Sequence, residues 1–324
     1  DSLSDVQGSG ILQVTLGYTG TWTRGGEIHG LQLTALLRPV SWVLASAGAS
    51  ALRIRGQETY VDEVLVDDVP TPRETTFTHR NSGLGDVTLW AWAELAHFVA
   101  PDPGEGTQPR DSKEAASGPA LGFPSLFVGL GVKLPTGRAD EWDPEKLAWD
   151  RSKAISGESS SSDGVLSPRF QLGTGTTDLL AGILAVQKIG DLAFSASGSL
   201  QIPGGANEVG YERSPKASWS ASVRWVLHSY PGGREISVRA GLSGVLARAR
   251  DIDHSENTRL LGSQEKGLVD GSNADFVFAD LAANWDFRGP FTVGIAARLP
   301  VGSGAQASEN SFRFQLGFSL GGKF

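Results

Sequence analysis

Charged side chains recur in this sequence inside segments where apolar and polar residues alternate, and such a set could bind a charged solute. Seven are basic and three are acidic: Arg53, Arg55, Asp86, Glu94, Lys133, Arg224, Arg239, Asp280, Arg298 and Arg313. If these polar positions share one inner surface, the basic excess favours anions or carboxylates. The alternative is a set of structural ion pairs, because buried charges are tolerated when they are paired. Asp280 lies between segments that carry Arg239 and Arg298, so both interpretations remain open.

Residues that commonly perform catalysis or bind metals are not spaced for either role. The five histidines are scattered, without the H-x-x-x-H spacing of a zinc site. No G-x-S-x-G sequence positions a nucleophilic serine, and the chain has no cysteine. We therefore predict no catalytic residue, no metal site and no cofactor, and we expect the protein not to be an enzyme.

The elements that carry these charges are predicted to be unusually long β-strands. Alternation of period two marks twelve segments, because successive side chains of a strand point to opposite faces. Most segments have 11 to 16 residues, whereas strands of soluble proteins have about 5–6 and tilted membrane strands need about 9–11. The sequence predicts an all-β protein: a single transmembrane antiparallel up-and-down β-barrel of about 12 strands over residues 1–324.

The connections between the segments are of two kinds. One set is mostly tight, with residues 99–121 as a long exception, and the other set includes the long polar stretches 57–83 and 135–174. Outer-membrane barrels have short periplasmic turns and long external loops. We therefore expect 57–83 and 135–174 to be extracellular loops and 99–121 to be a long periplasmic connection.

Aromatic residues lie near the ends of the segments on the apolar parity. The predicted membrane-interface residues are Trp22, Trp42, Trp219, Trp285 and Phe324. Aromatic girdles at both membrane interfaces predict this placement, so the apolar parity is expected to face lipid. Lipid and lipopolysaccharide of a bacterial outer membrane are then the expected surroundings.

Whole-chain totals narrow the location and the partners. A net charge of −8 with a pI near 5.2 argues against nucleic-acid binding, which calls for a basic patch. The sequence begins with Asp1 and has no methionine, so we expect that a secretory signal peptide has been removed before Asp1.

Three stretches carry a resemblance to a known family. They are "GLGDVTLWAWAEL" (83–95), "LFVGLGVKLPTGR" (126–138) and "LGTGTTDLLAGILAVQKIGDLAFSASGSLQIPG" (172–204). Their motifs G-x-G-D, K-L-P-T-G and G-T-G-x-x-D resemble those of the outer-membrane family named for the MetA pathway of phenol degradation. The resemblance implies a barrel proposed to carry aromatic or other hydrophobic compounds, and it supplies no catalytic residues.

Two functions follow as hypotheses. The first is a barrel that passes small solutes, with aromatic, hydrophobic or anionic solutes as candidates, through a narrow, arginine-lined and loop-gated lumen. The alternative is a structural or docking barrel with a plugged lumen inside a multiprotein cell-envelope complex. In that case, partner proteins would contact 99–121 or the extracellular loops.

Overall fold

The computed structural model describes residues 11–23, 26–40, 42–66, 69–95, 124–140, 147–148, 171–207, 211–230, 234–247, 252–253, 276–287, 291–303 and 312–323. No helix that is long and apolar enough to cross a membrane occurs in these ranges. The predicted periplasmic connection 99–121 and most of 135–174 lie outside the described residues, as does Phe324.

Nearly all regular structure in the described ranges is β. The strands are β1 (Ile11–Thr23), β2 (Gly26–Val40), β3 (Val43–Val66), β4 (Val69–Leu84), β5 (Val87–Glu94), β6 (Ser125–Leu134), β7 (Asp178–Ile189), β8 (Leu192–Pro203), β9 (Tyr211–Glu212), β10 (Lys216–Tyr230), β11 (Arg234–Leu246), β12 (Ile252–Asp253), β13 (Phe276–Asp286), β14 (Phe291–Ser303) and β15 (Phe312–Lys323).

Twelve of the described strands form a closed antiparallel ring in the order β1, β2, β3, β5, β6, β7, β8, β10, β11, β13, β14 and β15. Pairing of β15 with β1 closes it, with Lys323 opposite Gln13. Each ring strand is therefore paired on both sides, which removes the exposed edges of an open sheet. The predicted up-and-down barrel of about twelve strands is confirmed.

The two ends of the ring differ in their connections. We call the end where β6 and β7 are joined through residues 135–177 the loop end, and the end where β7 and β8 are joined through residues 190–191 the turn end. All ring strands except β3 and β5 have 10 to 15 residues. These lengths match the sequence prediction and exceed those of ordinary soluble strands.

Residues 57–83, predicted as a loop, instead form most of a long hairpin of β3 and β4. Its pairing runs from Ala51 opposite Leu84 to Val66 opposite Val69. The pairing of β2 with β3 stops at Gly26 and Gly56, so the outer part of the hairpin extends beyond the ring. A hairpin that extends beyond the ring needs no apolar face toward lipid, and a polar sequence without such a face indicated a loop.

The outer surface of the ring is apolar. Along β8, Phe194, Leu200 and Ile202 are exposed, while Ser195 and Ser197 on the alternate positions are partly buried. The same outward exposure holds for large apolar side chains around the ring, among them Leu16, Leu31, Leu33, Leu130, Leu179, Ile183, Leu242, Leu281, Ile295 and Leu320. A closed ring with apolar side chains outside is the arrangement of a membrane barrel.

Several of the predicted interface aromatics lie on this outer surface. Trp285 is exposed and stacks on Phe287 with ring centroids 4.8 Å apart. Trp22 meets the His29 ring edge-on, and Trp219 lies against Gly244. Trp42 is half-buried beside the turn between β2 and β3. A further exposed outer tryptophan, Trp225, was absent from the predicted set.

Candidate functional site

A series of paired serines lines the inner face where β8 meets β10. Strand pairing places Ser195 opposite Ser222, Ser197 opposite Ser220 and Ser199 opposite Ser218. Each pair is hydrogen-bonded through its hydroxyls, at 2.8, 2.7 and 2.9 Å respectively. We call these six residues the hydroxyl ladder. Each pair satisfies one hydrogen bond while the hydroxyl oxygens keep further capacity for water or a solute.

Arg224 continues the same face of β10 toward the turn end. Its Nε donates to Ser237 Oγ at 3.0 Å, and its Nη2 lies 3.1 Å from Glu235 Oε2. Ser237 is almost completely buried, so this contact fixes the guanidinium against the wall. The charge of Arg224 is therefore compensated by Glu235 within the wall itself.

Asp280 and Arg298 form the ion pair that the sequence suggested. They are directly opposite each other on β13 and β14, with Arg298 Nε 2.6 Å from Asp280 Oδ1. The Arg298 guanidinium also lies 5.4 Å from the centroid of the buried Phe278 ring. The pair is only partly buried, which leaves it in contact with the lumen.

Arg239 lies between these two ion pairs and has no ion-pair or hydrogen-bond partner among the described residues. It is opposite Arg224 on β10 and opposite Ala282 on β13. An inner cavity of about 260 Å³ is lined by Thr19, Ser220, Ser222, Arg239, Asp280 and Arg298, together with smaller residues. We call the inner faces of β10, β11, β13 and β14 the arginine wall. Among the residues that line this cavity, Arg239, Arg298 and Asp280 are charged, and their net charge is +1.

Asp86 is placed differently from the arginine wall, at the loop end of β5. Its Oδ1 accepts a hydrogen bond from the Gly137 amide at 3.1 Å. Its Oδ2 accepts one from the Thr174 amide at 2.9 Å and one from the Thr174 hydroxyl at 2.8 Å. Asp86 thereby joins both described stems of the connection between β6 and β7.

Lys133 and Asp178 complete this group, which we call the mouth cluster (Asp86, Lys133, Thr174, Thr176 and Asp178). Lys133 Nζ forms an ion pair with Asp178 and lies 3.7 Å from Asp86 Oδ2. Asp178, which is fully buried, also accepts hydrogen bonds from Thr176 Oγ1 at 2.7 Å and from the Gln201 amide. The three resemblance motifs thus meet in one buried polar cluster.

The mouth cluster holds the stems against the inner wall. Leu172 is buried against Ile54, with Leu52 and Ile28 packed around them. Gly137 and Gly173 approach so closely that a Cβ on either would overlap the backbone of the other's segment. The backbone amides of Leu172 and Gly173 both donate to the Arg138 carbonyl at 3.0 Å. The stems 135–140 and 171–177 therefore form a fixed ledge at the loop end.

Arg53 and Arg55 do not line the lumen as predicted. Arg53 is opposite His29, which contacts the outward Tyr18 and Trp22, and the Arg55 guanidinium lies 3.9 Å from Glu27. The prediction assumed that the alternate positions of β3 with the larger apolar side chains face outward, which put Arg53 and Arg55 inside. In β3 the inner positions carry Leu44, Leu52 and Ile54, because Leu36, Trp92 and Leu172 cover them from inside, and alanines face outward.

The remaining predicted lumen residues are accounted for as follows. Glu94 is on the inner face near the turn end, with Arg38 Nη2 3.9 Å from its Oε2. The backbone of Arg313 belongs to β15, and its side chain lies outside the described ones. The sequence did not reveal Glu235 and Ser237 as partners of Arg224, or Thr19 as a cavity residue, because these positions depend on the register of the strands. It also did not reveal Asp178 as the ion-pair partner of Lys133. Asp178 ends a recognised motif, which was a usable signal.

Two inward tryptophans define a second, apolar wall. The rings of Trp90 and Trp92 on β5 stack with centroids 5.0 Å apart. They lie over Gly129, Gly131 and Gly182 of β6 and β7, where a Cβ would overlap the rings. Glycine at these positions lets large rings lie flat on the neighbouring strands. β5 and β13 are six strands apart in either direction round the ring, so this tryptophan pair faces the arginine wall.

Comparisons with known proteins show the fold. No protein-family model and no curated protein sequence matches this chain. The COG4313 outer membrane channel from Pseudomonas putida F1 is 12% identical, with a TM-score of 0.57 over 98% of this chain and 97% of that chain. The NanC porin (9% identity, TM-score 0.43, 96% and 97% covered) and the KdgM porin (5%, 0.42, 96% and 99%) are more distant. At these identities the comparisons show the fold alone.

The chain therefore has the fold of the outer-membrane β-barrels. This confirms the fold that the resemblance implied and agrees with the predicted outer-membrane localisation. An apolar surface around the ring means contact with membrane lipid.

Proposed function

We propose that this protein is an outer-membrane channel that passes small solutes through a narrow lumen with a preference for anions. The observation that carries the proposal is the cavity on the arginine wall. There Arg239 faces the lumen of a closed, lipid-facing ring without an ion-pair partner among the described residues, because Asp280 is paired with Arg298. The similar structure from Pseudomonas putida is that of a channel, which supports transport. The proposal contains no enzymatic step.

The ring size supports a narrow passage. Eight-stranded barrels have interiors that side chains just fill, whereas porins of 16 to 18 strands leave an aqueous channel. Twelve strands fall between these cases. Here the apolar wall and the ledge formed by 135–140 and 171–177 occupy part of the interior. We propose that this ledge narrows the loop end, and the predicted loop gating stays a prediction.

Membership of the MetA-pathway family is a further part of the proposal. Its support is the mouth cluster, in which the three resemblance motifs converge on Asp86, Lys133 and Asp178. The aromatic solutes that this family implies would find the Trp90 and Trp92 rings on the apolar wall.

The test is conductance of the refolded full chain in planar lipid bilayers, with ion selectivity taken from the reversal potential in a KCl gradient. We expect discrete channel steps that favour chloride. Arg239→Gln should lower the chloride-to-potassium permeability ratio by about twofold or more, because one uncompensated charge in a narrow pore attracts the opposite ion. Arg53→Gln, on the outer surface, is the matched control and should leave the ratio unchanged.

A folded barrel that gives no current would contradict the channel proposal and favour the second candidate, a docking barrel with a plugged lumen. One observation supports that candidate: Leu36, Leu44 and Trp92 pack together inside the ring, as do Ile54 and Leu172. Its contacts would be made through 99–121 or the loops. Equal permeability ratios for Arg239→Gln and wild type would contradict the anion preference alone.

A further inference from the structure

Positive charge is in excess by one around Arg239 in the described cavity lining. Its cross-strand neighbour is another arginine, and like charges directly opposite each other destabilise a strand pair. Arg224 is fixed by Glu235 and Ser237, and Arg298 by Asp280. Within the described cavity lining, Arg239 and Arg298 against Asp280 leave one positive charge. A single negative charge would balance it.

The cavity beside Arg239 has the size and surface of a site for a small organic molecule. Its volume is about 260 Å³, slightly below the range of roughly 300–1,000 Å³ for drug-sized ligands. Its lining residues include Thr19, Ser220 and Ser222, which carry hydroxyl groups, and Ala282 and Ala296, which are apolar. The site therefore offers a cation, hydroxyl groups and a small apolar surface.

We propose that this cavity is a binding site for a small monocarboxylate, with the carboxylate on Arg239 and the hydrocarbon part on Ala282 and Ala296. The inference deepens the proposed function, on which it rests, because it names the class of solute that passes the arginine wall. Two parallel N–H groups of a guanidinium match the two oxygens of a carboxylate. The Ser220 and Ser222 hydroxyls can donate to the same oxygens.

The net charge of the cavity lining favours a monocarboxylate over inorganic phosphate as the bound anion. Phosphate carries between one and two negative charges at neutral pH and would exceed the single positive charge of the described lining. It would also leave the alanine surface in contact with water, whereas a short alkyl chain buries that surface. The Asp280 carboxylate, which lines the cavity, repels a doubly charged anion more strongly than a singly charged one.

The test is binding of butyrate to the refolded full chain in detergent micelles, measured by saturation-transfer NMR, which needs no current. We expect a saturable signal with wild type and at least tenfold weaker binding with Arg239→Gln, since the charge-assisted hydrogen bonds are lost. Arg239→Lys keeps the charge but loses the paired N–H groups, so it should bind several-fold more weakly than wild type. Arg53→Gln should bind butyrate as wild type does.

Each result that differs from these expectations contradicts one identifiable component of the monocarboxylate proposal. Absence of saturable binding in wild type, or equal binding by Arg239→Gln, overturns the site. Unchanged affinity in Arg239→Lys overturns recognition by the guanidinium, and displacement of butyrate by phosphate as readily as by acetate overturns the carboxylate assignment. A barrel that conducts but does not bind butyrate overturns this inference alone, whereas one that binds butyrate but carries no current overturns the channel proposal.

Discussion

Lys133 is the only described cation within ion-pair distance of Asp86 or Asp178, and all three side chains are buried or nearly so. Replacing it in Lys133→Met leaves two carboxylates close together without compensation. Breaking a buried pair in this way costs about 3–5 kcal/mol of folding free energy. We therefore expect the refolded variant to unfold at a clearly lower urea concentration than wild type, with unfolding measured by tryptophan fluorescence.

The matched control for this prediction is Lys188→Met. Lys188 is exposed at the turn end of β7 and should change the urea midpoint little. Equal midpoints for Lys133→Met and Lys188→Met would show that the mouth cluster does not stabilise the barrel.

The charged residues of the strands show how far side-chain positions and ion pairs could be predicted from the sequence. Asp280 was predicted to pair with Arg239 or Arg298 because the strands on both sides of it carried basic residues, and the register places Arg298 opposite it. Arg53 and Arg55 were misplaced because parity alone does not say which face is inside. That depends on what covers the face, and Leu172 comes from a segment more than a hundred residues away in the sequence.

The hairpin of β3 and β4 makes a separate prediction at the level of elements. In the described sheet, residues 57–66 pair only with residues 69–78, since the pairing of β2 with β3 stops at Gly56. Replacing 60–75 with a two-residue Asn-Gly turn keeps Thr59 opposite Thr76 and uses a turn that suits hairpins. We expect this shortened chain to refold and to show the same heat-modifiable migration on gels as wild type.

Failure of the shortened chain to refold, in contrast to wild type handled in parallel, would show that the hairpin contributes to the ring. The strands of the ring were predictable from alternation, since each must show one apolar face to lipid. The hairpin was not, because outside the membrane either face can be polar.

The interior as a whole is divided between an apolar wall and a polar one. Trp90 and Trp92 occupy space opposite the arginine wall. Removing both rings in the double variant Trp90→Ala, Trp92→Ala should widen the lumen and raise the single-channel conductance. Trp225→Ala removes a tryptophan from the outer surface, where 53% of it is exposed, and should leave conductance unchanged.

If the double variant and Trp225→Ala conduct equally, the tryptophan pair does not border the permeation path. Sequence parity puts Trp90 and Trp92 on the inner face only if no β-bulge precedes them in the strand, and the unbroken register of β5 with β6 meets that condition. Their flat packing does not follow from parity, because it requires three glycines that strand pairing brings beneath them from β6 and β7.

The seam between β1 and β15 has a consequence for the order in which the molecule is made. Gln13 and Lys323 are neighbours in space, although nearly the whole chain separates them. Closing so long a loop is costly in entropy, and contacts between distant residues form slowly. Synthesis of β15 must therefore be complete before the ring can close. Until β15 pairs with β1, each of these two strands has an unpaired edge, which must be protected from pairing with other chains.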